Sequence, residues 1–414
     1  VLRFKNFITE DFITEEKNLH MTHLEDAVID GGVNGTRNVI NYLRAIRDML
    51  SGNASAPVTL TVKWDGAPSI FAGIDPEDGK FFVAKKGVFN KNPKIYKTEK
   101  EIDNDLSGDL NAKFKVALRE LSKLGIEGVV QGDFLYTKDD LQKTTIDGES
   151  YITFHPNTIV YAVPTKSELA QRIQRSAIGV AWHTTYRGDS LETMSATFGK
   201  KIATGLKEVK SVWCVDAVFE DKSGTATFTK NETDHITGIL SQAGSLFRTV
   251  RPDILNAFGK NEELNLRVNT YINSKVREGS RVGDPKEFVP GLIRYIEDYY
   301  NAEADKKKTE KGKSVQYQKR DAVLEIFSKK NQKEIEKIFI LYNLLVDAKL
   351  IIIDKLNKID GLRTFLRTSS GYVVTGQEGF VAIDHLGKNA LKLVDRLKFS
   401  LANFSPEYIK GWQR

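Results

Sequence analysis

Cysteine is all but absent. The single Cys214 in 414 residues excludes an internal disulfide framework and any cysteine-built zinc site, and it fits a reducing compartment. Histidine is sparse too. Of six, only His20 and His23 stand close together and none form an H-x-x-x-H pair, which argues against a histidine metal centre. No apolar run is long enough to cross a bilayer. The most apolar stretch, Ile338 to Val346 with Leu350 to Ile353, is broken by Asn343, Asp347 and Lys349 and falls short of the roughly 20 residues required. Val1 to Glu10 lacks the apolar core of a secretion signal. These absences predict a protein of the cytoplasm with no membrane contact.

What is present is an ordinary globular composition, 40% hydrophobic and 28% charged, with a net charge of +6 and a pI near 8.9. That balance separates a nucleic-acid binder from a neutral enzyme only weakly. Its distribution says more. Between Lys306 and Arg320 seven Lys/Arg residues face one acid, Glu310. This run reads equally as a solvated linker or as an arm that grips backbone phosphates.

Along the chain, residues 1–20 read as a polar leader. Thr22 to Glu25 has the spacing of a capping box, and a second helix over about Gly35 to Leu50 carries the stripe Val39, Leu43, Ile46, Leu50. Val58 to Trp64 alternates with β-branched residues, and strands are expected at Ser69–Gly73, Lys80–Lys85, Gly128–Leu135, Thr158–Val163 and Ile178–His183. Lys113 to Leu124 is an amphipathic helix. From about Asp234 to Leu366 the periodicity is helical, and strand signals return at Gly371–Ile383 and Ala390–Leu397. The expected organisation is α+β: a strand-rich domain over 21–230, a helical domain inserted at 231–366, and the last strands of the first domain at 367–414.

The most informative segment is Lys63-Trp64-Asp65-Gly66. A lysine ending an apolar strand just before a tight turn is held rigidly at a domain surface. Its amine attacks an electrophile only when desolvation or neighbouring cations keep it neutral. A K-x-D-G string alone is weak, since an ordinary turn lysine gives the same letters. Four segments add to it: Lys85-Lys86-Gly87 after the next strand, Gln131-Gly132-Asp133-Phe134 with a carboxylate at a strand end, Gln377-Glu378-Gly379-Phe380 with another, and Ala390-Leu391-Lys392-Leu393.

This ordered set resembles the covalent nucleotidyltransferase superfamily of ATP-dependent DNA ligases, RNA ligases and mRNA-capping enzymes. The resemblance covers the strand-rich part and implies a ligase-type adenylyltransferase domain with antiparallel sheets. It implies that Lys63 attacks the α-phosphate of ATP and that Lys392 neutralises that phosphate and lowers the pKa of Lys63. Val62, Asp65 and Gly66 would shape the nucleotide pocket and Lys86 would contact phosphate. Asp133 would serve ribose or metal, and Glu378 would help hold Mg²⁺ (or Mn²⁺), an ion suited to carboxylates and phosphate oxygens. Three departures stand out. Pro68 replaces a common arginine, Asp133 replaces glutamate, and Val394 replaces the second lysine of the last motif, leaving Arg396 or Lys398 to substitute. For the aromatic lid over adenine the choices are Trp182 and Tyr161, with Trp182 preferred and core packing the ordinary alternative for both; His183 reads as a structural hydrogen bonder.

About twenty residues follow Lys392, fewer than an oligonucleotide-binding barrel needs. The resemblance therefore implies a divergent RNA ligase, with RNA preferred to DNA as partner, no obligate protein partner, and a repair role of the bacteriophage or mobile-element kind in the host cytoplasm. A nick-sealing DNA ligase with an unusual clamp and a non-catalytic nucleic-acid-binding protein with a relic nucleotide pocket are the alternatives.

Overall fold

The computed structural model describes residues 23–52, 58–218, 227–357, 362–384 and 390–411. The expected leader and Thr22 of the capping pattern lie outside these residues. The chain starts with α1 (Asp26–Asp30) and α2 (Gly32–Leu50). It continues through β1 (Val58–Lys63), β2 (Ser69–Ile74), β3 (Phe81–Ala84), β4 (Ile95–Tyr96), α3 (Glu99–Asp105) and α4 (Gly108–Leu121). Next come β5 (Val129–Thr137), β6 (Gln142–Ile146), β7 (Glu149–Phe154), β8 (Ile159–Pro164), α5 (Glu168–Arg175), β9 (Ile178–Arg187), β10 (Ser195–Phe198) and β11 (Val212–Asp216). Six helices follow: α6 (Lys230–Phe247), α7 (Pro252–Lys260), α8 (Glu262–Arg277), α9 (Pro285–Asp305), α10 (Glu310–Leu324) and α11 (Gln332–Leu356). The chain then returns to strands in β12 (Arg363–Thr368), β13 (Gly371–Val374), β14 (Gly379–Asp384) and β15 (Ala390–Leu393), before α12 (Arg396–Phe404). Among the described residues no helix is long and apolar enough to cross a membrane.

The strands form three sheets. One runs β10-β9-β5-β2-β3-β4, with β11 joining β9 in parallel; a second runs β13-β12-β8-β7-β6; the third is the small β1-β14-β15. The fold is mixed α+β with antiparallel sheets and a helical region, and strands from after that region do pair with strands from before it, β14 with β1 and β12 with β8.

The helical region is less of an independent insert than its periodicity implies. The stripe of α2 and residues of α1 share one core with α6, α7, α8, α9 and α11. That core also takes in Leu60 of β1, Phe380 and Ala382 of β14, and Leu393 of β15. Helices assigned by sequence to the strand-rich domain thus belong to the helical layer. The physical reason is that an amphipathic stripe specifies burial and leaves open the surface it is buried against. Gly35 permits the contact of α1 and α2, since a Cβ there would stand 1.9 Å from the carbonyl oxygen of Ala27.

Two further expectations are corrected. The basic run 306–320 is no linker: α10 starts at the Thr309 cap and packs beside α9. Lys306 and Lys313 are matched within their own helical turns by Glu303 and Glu310. And the strand expected through Leu397 stops at Leu393, because Asp395 caps a helix by accepting from the backbone N–H of Lys398.

Candidate active site

Alternation across the small sheet decides where its side chains go. Leu60 lies opposite Ala382, Val62 opposite Phe380, and Phe380 opposite Leu393; Leu60, Phe380, Ala382 and Leu393 enter the helical core, and Val62 packs against it. The intervening positions therefore face the other way. Lys63 lies opposite Gly379, and Lys392 opposite Val381, so both lysines leave the same face of the sheet. Gly379 offers no side chain beside Lys63. Its neighbour Glu378 fills that space, and its carboxylate forms an ion pair with the Lys63 ammonium. The Lys63 Nζ also stands 5.6 Å from the ring centre of Phe399 on α12.

The turn after β1 is fixed by Asp65. Its buried carboxylate accepts hydrogen bonds from Asn157 Nδ2 and from the backbone N–H groups of Thr158 and Ile159, each at 2.6 Å. Its own N–H donates to the Tyr161 hydroxyl at 2.7 Å. Burial pushes the Asp65 carboxyl above its ordinary range against the pull of these bonds. Gly66 then passes so close to β5 that a Cβ would stand 2.5 Å from the Asp133 Cβ. This close approach brings Asp133 into the field of Lys63.

Three carboxyls and two lysines share this region, and the acids are poorly compensated. Burial, reinforced by Glu378 and Asp65 and opposed by Lys63, pushes Asp133 up to about 8. Burial likewise pushes Glu378 up to about 7, with Lys63 pulling the other way. Lys392 is lowered by burial and by the charge of Lys63. A divalent cation would offset that shortage of positive charge, and Asp133 and Glu378 are the carboxyls that could contribute to its shell. Among the described residues no group of three or more His, Cys, Asp and Glu side chains is placed to hold a metal ion, so such an ion would take most of its shell from phosphate oxygens and water.

A cleft of about 70 Å³ opens beside Glu378, lined by Asp65, Thr158, Gln377, Lys398, Phe399 and Asn403 among others. Of the two cations considered as substitutes for the missing motif lysine, Lys398 borders this cleft. Arg396 is turned away, paired with Asp26 at 2.6 Å and donating to Asn273 Oδ1 at 2.7 Å. Trp182 is also elsewhere. It is fully buried in the core between the large sheet and α4, over Gly132, because the inward positions of β9 include 180 and 182. Tyr161 is equally buried and serves the Asp65 turn. Lys86 lies exposed just past β3, on the side of the sheet where Ser69 pairs with Asp133. His183 donates to or accepts from Thr184 Oγ1 at 2.6 Å. The aromatic ring that does reach Lys63, Phe399, lies just past the strand expected over Ala390–Leu397, on the helix that the Asp395 cap signals.

Two histidines near this region make stability depend on pH. Burial holds His23 down to about 3, and burial with the charge of Lys63 holds His183 down to about 4, from 6.5. Between those values and 6.5 the unfolded chain binds more protons than the folded one. Their contribution, complete above pH 6.5, is lost as pH falls, at up to about 1.4 kcal/mol per pH unit for each ring. Urea midpoints at about pH 7 and about pH 5 should show a smaller drop in His183→Asn than in the parent chain; an equal drop rejects the assignment.

The family model that matches this chain, a family of unknown function (DUF6267), spans residues 18–408, and the chain belongs to that family. No curated protein and no solved structure matches it.

Proposed function

We propose that the chain is an ATP-dependent polynucleotide ligase that captures AMP on Lys63 and passes it to a 5′-phosphate end. The observation that carries this reading is the convergence on one sheet face and its rim of Lys63, Glu378 and Lys392 with Asp133 and the Asp65 turn, drawn from segments far apart in the chain. Their order along it is that of the nucleotidyltransferase motifs.

In the first step the Lys63 ammonium passes a proton to water and its nitrogen forms an N–P bond to the α-phosphorus of ATP. The bond from that phosphorus to the bridging oxygen breaks, pyrophosphate leaves with the electron pair, and the amine proton passes to water. Lys392 offsets charge on the non-bridging oxygens, and Asp133 and Glu378 would hold Mg²⁺ or Mn²⁺, which when bound would supply further charge neutralisation to the phosphates. In the second step an oxygen of the 5′-phosphate bonds to the AMP phosphorus, the N–P bond breaks and the Lys63 amine leaves and takes up a proton. In the third a 3′-hydroxyl oxygen bonds to the 5′-phosphorus, AMP leaves with the bridging oxygen and the hydroxyl proton passes to water. RNA ends are the acceptors proposed and nicked DNA the alternative. The setting proposed is nucleic-acid repair in the cytoplasm. On α10 and just before it Lys308, Lys311 and Lys319 are exposed and, among the described residues, without an ion-pair partner. They supply phosphate contacts at a distance from the chemistry.

The test is direct. With Mg²⁺ and ATP labelled at the α-phosphate, label stays with the denatured protein, whereas label at the γ-phosphate does not. Absence of retained label rejects the reading. Sealing of single-stranded RNA, nicked duplex RNA and nicked DNA by the labelled protein then identifies the acceptor.

A further inference from the structure

Apart from Lys398 at the rim of the cleft, the outer face of α12 has no role in the chemistry just described, yet it lies beside it. Phe399 points inward to Lys63. Lys398, Leu401 and Phe404 point outward, at successive three-residue steps that keep them on one side of the helix. Their exposure is high: 82% for the Lys398 side chain, 43% for Leu401 and 68% for Phe404. An exposed phenylalanine next to an exposed leucine is an apolar surface without a partner among the described residues. Two cations flank it, Lys398 on the same helix and Arg277. Arg277 at the end of α8 sits with its guanidinium carbon 5.9 Å from the Phe404 ring centre. Asp395, 4.0 Å from the Lys398 ammonium, is also held by Arg281 at 3.3 Å, and Glu407 is exposed three residues beyond Phe404.

We propose that this face of α12, with Arg277 beside it, is a stacking platform for the bases of a single-stranded polynucleotide whose end lies at Lys63. An aromatic ring flanked by cations suits that ligand. Every base has a flat face to stack on the ring, and each phosphate finds a cation within a side chain's reach. The dimensions agree. Five residues of helix separate Phe399 from Phe404, about 7.5 Å of rise, or roughly two stacked nucleotides at about 3.4 Å each. Phe404 is thus placed for the second or third base from the reacting end. The proposal takes its partner class from the ligase reading and otherwise stands on this surface alone.

Binding of a short fluorescent oligonucleotide to the full chain, measured by anisotropy without ATP, tests it. Phe404→Ala should weaken binding about tenfold, within the range one stacked base contributes. Phe404→Trp should retain affinity while Phe404→Leu should behave like the alanine variant, which separates stacking from simple apolar contact. Arg277→Ala and Lys398→Ala should each reduce the slope of log affinity against log salt by about 0.7. Leu266→Ala, at an exposed leucine elsewhere on α8, should change neither quantity. Unchanged binding in Phe404→Ala overturns the proposal. So does a change of sedimentation in that variant with oligonucleotide affinity intact, which would make the face a contact between protein chains. Because no ATP is used, the two readings fail separately. A chain that never retains label but loses oligonucleotide binding in Phe404→Ala keeps the platform and loses the ligase assignment. A chain that is labelled and binds independently of Phe404 does the reverse.

Discussion

Lys63→Arg gives a folded chain that retains no label from ATP. Arginine preserves the positive charge that Glu378 pairs with, so the surrounding carboxyls keep their counter-ion and the thermal midpoint stays within a few degrees. What is lost is the nucleophile, because a guanidinium does not give up its proton in proteins. The expected loss is complete, down to the background of denatured protein. Lys392→Met should behave differently. That side chain forms no bond in the proposed step; it offsets charge that develops on phosphate, and removing such a group costs roughly 10²–10³-fold in rate. Slow labelling in Lys392→Met beside none in Lys63→Arg is the expected pattern. Labelling of Lys63→Arg at the parental rate would show that another residue carries the nucleotide.

The second large effect is on stability. Lys349 of α11 is buried and places its ammonium 2.7 Å from both carboxylate oxygens of Glu25, itself buried just before α1. Burial alone would raise the Glu25 carboxyl; Lys349 and His23 outweigh it and hold it below the ordinary range. Lys349→Met leaves that carboxylate enclosed without a partner and should destabilise the chain by about 3–5 kcal/mol, seen as a fall of several degrees in thermal midpoint. Glu25→Gln combined with Lys349→Met removes both charges and should recover most of the loss, because burying an uncharged pair carries no ionic desolvation cost. If the double variant is no more stable than the single one, the pair is not the source of the effect.

Much of the strand-rich architecture is legible from alternation. β1, β2, β3, β5 and β8 lie in segments whose β-branched pattern announces them, and β9 begins where its pattern does. Lys63 beside Glu378 is a different matter. Their positions differ by more than three hundred residues, and no periodicity connects them; only the order of short motifs raises the pairing. Local pattern is also silent about which surface an element covers. The stripe on α2 announces burial without revealing that its partners are α6, α7 and α11. Trp182 illustrates the same gap. An aromatic residue amid hydrogen-bonding neighbours looks suited to a ligand, and the register of β9 turns it into the core instead. The hairpin of β6 and β7 gives little sequence signal, because its outer strand is polar, Gln142-Lys143-Thr144-Thr145, and shows little alternation of its own.

The small sheet that carries both lysines is joined from opposite ends of the polypeptide, with β1 hydrogen-bonded to β14 and β14 to β15. During synthesis the nucleophile is made early and waits for its companions. A growing chain that has emerged only through α11 holds Lys63 without Glu378 or Lys392, and its strand has an open edge where β14 belongs. Under the proposed reaction such a nascent chain would not consume ATP through this site, and reactivity would begin only when translation has delivered the closing strands.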